Sequence, residues 1–185
     1  MNFPRIDNLI EHWAEIYKPI MHCPLKGAKA RRFFRFDSIE TAQDITKQFT
    51  TFRTPVVGIV TQFDGVSHGS LMELEVIVFV FTKQLAPRSD TSGAEIAAAD
   101  AKYFGAEIMN DLWIWLCDQK RRAPKDPKHH LHWLNGLDTD NIAIMSYPVM
   151  LNDWWPTTLE LKVKVPRQTC VDNSKYVEDD GSSSM

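Results

Sequence analysis

The 185-residue chain has only three cysteines, and they are poorly placed for shared chemistry. Cys23, Cys117 and Cys170 are far apart, odd in number, and form no Cys-x-x-Cys pair. That argues against a structural zinc site built on thiolates and fits a reducing compartment. An excess of charge is also missing. Lysine and arginine total 21 against 24 acidic residues, a net charge of −3. No global basic character points to nucleic acid or an anionic membrane. No apolar segment reaches the ~18–20 residues of a membrane-spanning helix. The start of the chain, Met1-Asn-Phe-Pro-Arg-Ile-Asp7, lacks the basic stretch and apolar run of a secretory leader. Catalytic motifs are absent too: no nucleophile elbow, no phosphate-cradling glycine loop, no His-Glu-x-x-His. No catalytic, cofactor-binding or metal-binding residue is therefore assigned, no cofactor is expected, and the chain does not read as an enzyme.

Aromatic residues are abundant, with six tryptophans and ten phenylalanines, which favours extensive packing or interfaces. The length suits one domain with a core large enough to fold without staples. The run Leu71-Met-Glu-Leu-Glu-Val-Ile-Val-Phe-Val-Phe-Thr-Lys83 is its longest apolar stretch. Its β-branched and aromatic content predicts a strand. Met72, Leu74, Val76, Val78 and Val80 share one face and read as core. Leu71, Glu73, Glu75, Ile77, Phe79 and Phe81 share the other, polar at its start and aromatic at its end. At ~3.3 Å per residue such a strand is roughly 43 Å long, about twice the usual length.

The remaining elements follow from periodicity. Residues 4–18 predict a helix with Ile6, Leu9, Ile10, Trp13, Ile16 and Tyr17 on one stripe, ended by Pro19. Residues 19–30, with His22 and Cys23, read as a solvated connector. Residues 31–36 predict a strand, followed by a short helix capped by Asp37 or Ser38 with Glu40 at capping-box spacing. Residues 54–64 predict a second strand that pairs with the long one as an antiparallel hairpin, joined by a turn-rich link at 65–70. Thr91 or Ser92 can cap a long helix to about Arg122. Its main stripe is read as Ile96, Ala99, Tyr103, Ala106, Asn110, Trp113 and Cys117, widened by Phe104, Ile108, Leu112 and Trp115. Residues 141–151 predict a strand. Residues 156–166 alternate, with Leu159, Leu161, Val163 and Val165 inward and Glu160, Lys162 and Lys164 outward. The expected fold is α+β. A mostly antiparallel sheet of roughly four to five strands carries a long hairpin, covered on one face by the long helix and the N-terminal helix. Residues 1–166 form the domain; residues 167–185 are a polar, acidic tail with the composition of a disordered segment.

Candidate chemistry is thin. Arg31, Arg32 and Arg35 alternate with Phe33, Phe34 and Phe36, a pattern that suits phosphate contact or, more simply, a strand with arginines on its wet face. His129, His130 and His132 could bind a metal with Asp126, Asp138 or Asp140, but no metal motif has this spacing, and a polar loop is the default. His68 reads as a lone loop histidine. Cys117 reads as a core thiol.

The order of elements, with Phe36-Asp-Ser-Ile39 leading into Thr54-Pro-Val-Val57, the hairpin to Lys83, and Trp154-Trp-Pro156 before Leu159-Glu-Leu-Lys-Val163, resembles the tail-completion and tail-terminator proteins of tailed phages and their relatives in phage-derived injection machines. The likeness is one of layout over residues 1–166 and rests on no diagnostic motif. It implies a structural subunit of a homo-oligomeric ring, usually hexameric, at the head-proximal neck of a tail tube. The implied partners are copies of the chain, tail-tube and head-neck connector proteins, and DNA passing through the lumen without specific binding; no membrane is implied. The implied location is the virion, after assembly in the host cytoplasm. In such a ring Glu73 and Glu75 are candidates to face the lumen. Phe79, Phe81, Trp154 and Trp155 are candidates for inter-subunit contacts. The competing readings are a non-catalytic cytoplasmic domain that binds a ligand or peptide, and a hydrolase or nuclease built on the histidine loop.

Overall fold

The structure, a computed structural model, describes residues 5–26, 30–38, 41, 54–60, 65–68, 71–83, 91–147 and 154–166. Its elements in chain order are α1 (Ile6–Ile16), β1 (Phe33–Phe36), β2 (Val56–Val60), β3 (Gly65–His68), β4 (Leu71–Lys83), α2 (Thr91–Arg121), β5 (Ala143–Ser146) and β6 (Trp154–Pro166). The six strands form one sheet in the order β1-β2-β4-β6-β5, with β3 also on β4. The α+β fold with a mostly antiparallel sheet is thus present. The first pairing differs from the rest: β1 runs parallel to β2. A parallel pair needs a long crossover, and residues 37–55 supply one. The short helix expected there lies outside the described residues, apart from Thr41, whose amide donates to the Ser38 hydroxyl at 3.2 Å.

β4 is the axis of the sheet. It pairs with β6 over its whole length, from Leu71 opposite Pro166 to Lys83 opposite Trp154. On its other side β2 covers Ile77–Phe81 and β3 covers Leu71–Leu74. The expected hairpin of β2 with β4 is therefore present. The 65–70 link, read as a turn, is instead largely strand. Its small and polar residues hid it, yet β4 extends far enough past β2 to offer them a free edge.

The core lies between one face of the sheet and the helices. Leu74, Val76, Val78 and Val80 of β4 meet Leu159, Leu161, Val163 and Val165 of β6, as alternation predicts. From α1 come Ile6, Ile10, Trp13 and Ala14. Ile16, placed on that stripe from sequence, is 55% exposed. From α2 come Ala101, Gly105, Ile108, Met109, Leu112 and Leu116. This is not the main stripe read from sequence, because Tyr103 and Asn110 are exposed. Apolar residues surround this helix on nearly every side, so periodicity does not fix its rotation. Close approach does. A Cβ on Gly105 would lie 2.6 Å from the Thr157 hydroxyl, so the helix rests on the sheet where it has no side chain. The helix begins at Thr91, so Thr91 and Ser92 fall within its range.

A second cluster occupies the opposite face of the sheet: Phe34, Phe36, Val56, Val60, Phe79, Phe81 and Trp154. Gly58 sits among them, and the Phe36 ring fills the place a Cβ would take. Gly58→Ala should cost about 1–3 kcal/mol through overpacking. The check is the urea midpoint, with Gly58→Ala/Phe36→Leu expected to recover part of the loss.

Candidate functional site

The outer face of the sheet carries most of the residues singled out from sequence, and it has two ends. At one end the aromatic cluster is knit edge to face. Phe81 meets Phe36 at 6.5 Å and Trp154 at 6.4 Å between ring centroids, both near perpendicular, and stacks on Phe79 at 5.9 Å. Such contacts add to the burial of each ring. The candidates for contact with a neighbour are here in part internal: Phe79, Phe81 and Trp154 are 6%, 1% and 1% exposed. Within a single chain they are core residues, so their side chains do not present a surface. Trp155 differs. It is half-buried with the Lys102 ammonium 4.7 Å above its ring, and its buried indole N–H meets no acceptor.

At the other end the face is charged. Glu73 and Glu75 stand opposite Lys164 and Lys162. Lys162 reaches Glu75 at 2.9 Å and Glu73 at 3.4 Å. Its hydrogen bonds to Glu75 and Glu73 hold its ammonium above the ordinary lysine range. Cross-strand opposite charges of this kind are favourable but weakened by solvent screening. Glu75 is half exposed and Glu73 largely covered. The lumen candidates thus lie together on one face, but as part of a ladder that includes lysines rather than as bare negative charge. The loop beside β6 locks this end. The Asp138 amide donates to the Lys162 carbonyl at 2.8 Å, and Gly136 sits so tightly on the Lys164 carbonyl that no Cβ fits. The backbone N–H of Asp140 and the Asn141 amide hold the Asp138 carboxyl below the usual range.

The arginine-phenylalanine alternation resolves structurally. Phe33 enters the helix-side core, while Phe34 and Phe36 enter the outer cluster. Arg35 is bound by α1: Asp7 at 2.8 Å, Glu11 at 2.6 Å and Asn8 at 3.0 Å. Arg31 lies over the Phe34 ring at 4.8 Å. Sequence reading missed the residue behind this arrangement. His22, assigned to a solvated connector, is buried. Its Nδ1 accepts the amides of Arg32 at 2.8 Å and Phe33 at 3.2 Å, while Nε2 faces Glu11 at 3.6 Å. Met21, at the left-handed φ of 49°, turns the chain so that the imidazole points inward. No local pattern announces such a residue; only the fold brings β1 to it.

The remaining candidates do not assemble. His129 and His130 stack on each other at 4.4 Å, and His132 Nδ1 lies 3.1 Å from the Pro124 carbonyl. Among the described residues no three His, Cys, Asp or Glu side chains are grouped to hold a metal ion. Cys117 is half-buried, and burial pushes its thiol up, away from nucleophile character. It borders an open depression of about 570 Å³ with Lys120, Arg121, Asn135 and Thr139. Lys120 donates to the Leu137 carbonyl at 2.6 Å, which ties α2 to the loop beneath this depression. His68 falls in β3. No helix among the described residues is long and apolar enough to cross a membrane. The acidic tail lies outside the described residues. No protein-family model matches the chain, and no curated protein matches it.

The His22 geometry sets a pH dependence. Burial lowers its pKa, outweighing the pull of Glu11 and Glu15, and Arg31 adds to the lowering. Unfolded, it titrates near the ordinary value of about 6.5. The unfolded chain therefore binds the proton first, so this contribution is full above that pH and declines as pH falls through the folded value. Urea midpoints measured across this range should decline. His22→Leu should lower stability at neutral pH by about 1–3 kcal/mol, since the part-buried Arg32 amide and the buried Phe33 amide lose their acceptor, and should flatten the dependence.

Proposed function

We propose that the chain is a structural subunit of a homo-oligomeric ring at the neck end of a phage tail or phage-like injection machine, where it ends or joins the tail tube. The single observation that carries this reading is the β4–β6 pair. Thirteen residues long, it reaches well past β2 and, among the described residues, is bordered beyond it by the four-residue β3. The pair extends the domain into a wall-like sheet, buried along its helix side from Leu74 to Val80 and from Leu159 to Val165. One side of that wall is covered by helices, and the other is charged at one end. A subunit lining a conduit requires those properties: a rigid backbone, a covered side and a polar side.

The order of elements gives the second support, through the likeness to tail-terminator subunits. Several ionisable groups of the described residues serve packing: Arg35 joins β1 to α1, Lys120 joins α2 to a loop, and Lys162 joins β6 to β4. In this reading Glu73 and Glu75 face the lumen. Glu73, Glu75 and Glu160 share that face with Lys162, Lys164 and, at its aromatic end, Lys83, which leaves no excess of positive charge to hold phosphate.

Native mass by light scattering, followed by negative-stain imaging of the same fraction, tests the ring. Closed particles of about six copies support it; a monomer at every concentration, with and without tail tubes, overturns it. The lumen assignment has its own test. Glu73→Lys/Glu75→Lys should still assemble but retain duplex DNA and slow its passage; unchanged passage removes these residues from the lumen.

A further inference from the structure

Helix α2 has an outward side that the described chain leaves largely exposed, with Tyr17 touching it at Asp111. Tyr103 is 71% exposed and Ile114 54%, with Phe104 beside them. Between these residues stand Glu107 and Asp111, both exposed. Their spacing of three and four residues puts them on one side of the helix. Among the described residues neither carboxylate has an ion pair: Asp111 accepts the Tyr17 hydroxyl at 2.7 Å, and the nearby Lys102 is turned over Trp155.

The far end of the same helix has the opposite character. Arg121 and Arg122 share one carboxylate, Asp118, at 3.5 and 2.8 Å. The loop that follows exposes Lys125 and Lys128 beside the stacked His129 and His130. Asp126, the acidic residue within that loop, accepts the Lys128 amide at 2.9 Å. The corner therefore holds cations in excess of its acids.

Matching the helix dipole accounts for only part of this polarity. That effect fades within the first and last turns. It explains Lys120 and Arg121, but Glu107 and Asp111 lie mid-helix and Lys125 and Lys128 lie beyond it. Glu107 and Arg121 are about 21 Å apart along one rod at 1.5 Å per residue, so the two surfaces cannot meet within a chain.

We propose that they meet between copies. The Tyr103–Ile114 side of one copy receives the Arg121–Lys128 corner of the next. The contact joins two different surfaces, so it is head-to-tail, the type that closes into rings or runs into filaments. Exposed tyrosine and phenylalanine flanking the carboxylates supply the apolar area that interfaces favour. This inference rests on the ring reading and names the surfaces that build the ring. A second copy suits the corner better than nucleic acid does, because Asp118 and Asp126 stand among the cations and the complementary acidic surface is on the same molecule.

Charge reversal in the full chain tests the contact. Glu107→Lys alone and Lys125→Glu/Lys128→Glu alone should each lower the native mass to that of a monomer at low ionic strength, with unchanged circular dichroism and melting. An equimolar mixture of the two variants should recover the wild-type mass, because each reversed surface then faces a complementary one. Raising salt should dissociate wild type and mixture alike. Rings that form unchanged in both variants overturn this contact and leave the ring reading standing. A wild-type chain that stays monomeric at high concentration and low salt overturns the contact, and with it the support it lends the ring. Variants that keep their mass but lose binding to a duplex DNA oligonucleotide assign the corner to phosphate instead and overturn the proposal.

Discussion

The register between β4 and β6 is the constraint on which the rest of the structure depends. Side chains alternate along a strand, so slipping this pair by one residue would exchange its two faces. Leu74, Val76 and Val78 would leave the helix-side core, and Glu73 and Glu75 would enter it. The charged ladder reinforces the correct choice. Lys162 lies opposite Glu75 and reaches both glutamates, an arrangement that fits only one alignment. At the other end Trp154 finds its place in the aromatic cluster only when it lies opposite Lys83. Both ends of one long pair thus specify the same register by different physics, polar at one and apolar at the other.

The two-faced sheet then sorts the rest of the chain. The helix-side core takes α1 and α2 because their small or aliphatic residues meet the β-branched rows of β4 and β6. The outer cluster draws on β1, β2, β4 and β6, so it depends on the parallel β1–β2 pair being in place. His22 secures that pair from behind. By accepting the amides of Arg32 and Phe33 it satisfies backbone donors at the entry to β1, which a buried strand end cannot leave unmet. A histidine in a connector and a strand at the sheet edge are in this way one structural unit.

What was legible in the sequence was whatever has a period. The faces of β4 and β6 were readable residue by residue, because alternation is unambiguous when one face is apolar throughout. So were the extents of α1 and α2 to within a few residues. The rotation of α2 was not, since apolar residues surround it and the choice falls to Gly105 against Thr157. β3 was missed because Gly65 and Ser67 carry no strand preference, and the edge they fill exists only once β4 is built. His22 and the partners of Arg35 were illegible for the same reason: Asp7, Glu11, His22 and Arg35 are joined by tertiary contacts that local spacing does not encode. Phe79 and Phe81 lie on the one face of β4 that alternation gives them, whereas Trp154, ahead of the strand read at 156–166, instead begins β6 and joins them; the sequence does not tell that this face is covered within the chain.

Charge distribution carries this distinction one step further. Most ionic contacts here tie elements of the chain to one another and are accounted for by the fold: Arg35 with α1, Lys162 with β4, Lys164 with Asp138. A charge that neither satisfies a neighbour nor suits a helix end has no evident role in folding, and Glu107, mid-helix beside exposed aromatics, is such a case, whereas Asp111 also accepts the Tyr17 hydroxyl. Other charges without an ion pair among the described residues, such as Lys18, Lys26, Asp37 and Lys83, lie on other elements, whereas α2 and the loop after it carry two patches of opposite sign with a fixed separation. In the contact proposed above, their segregation along a single rod sets the direction in which one copy would meet the next.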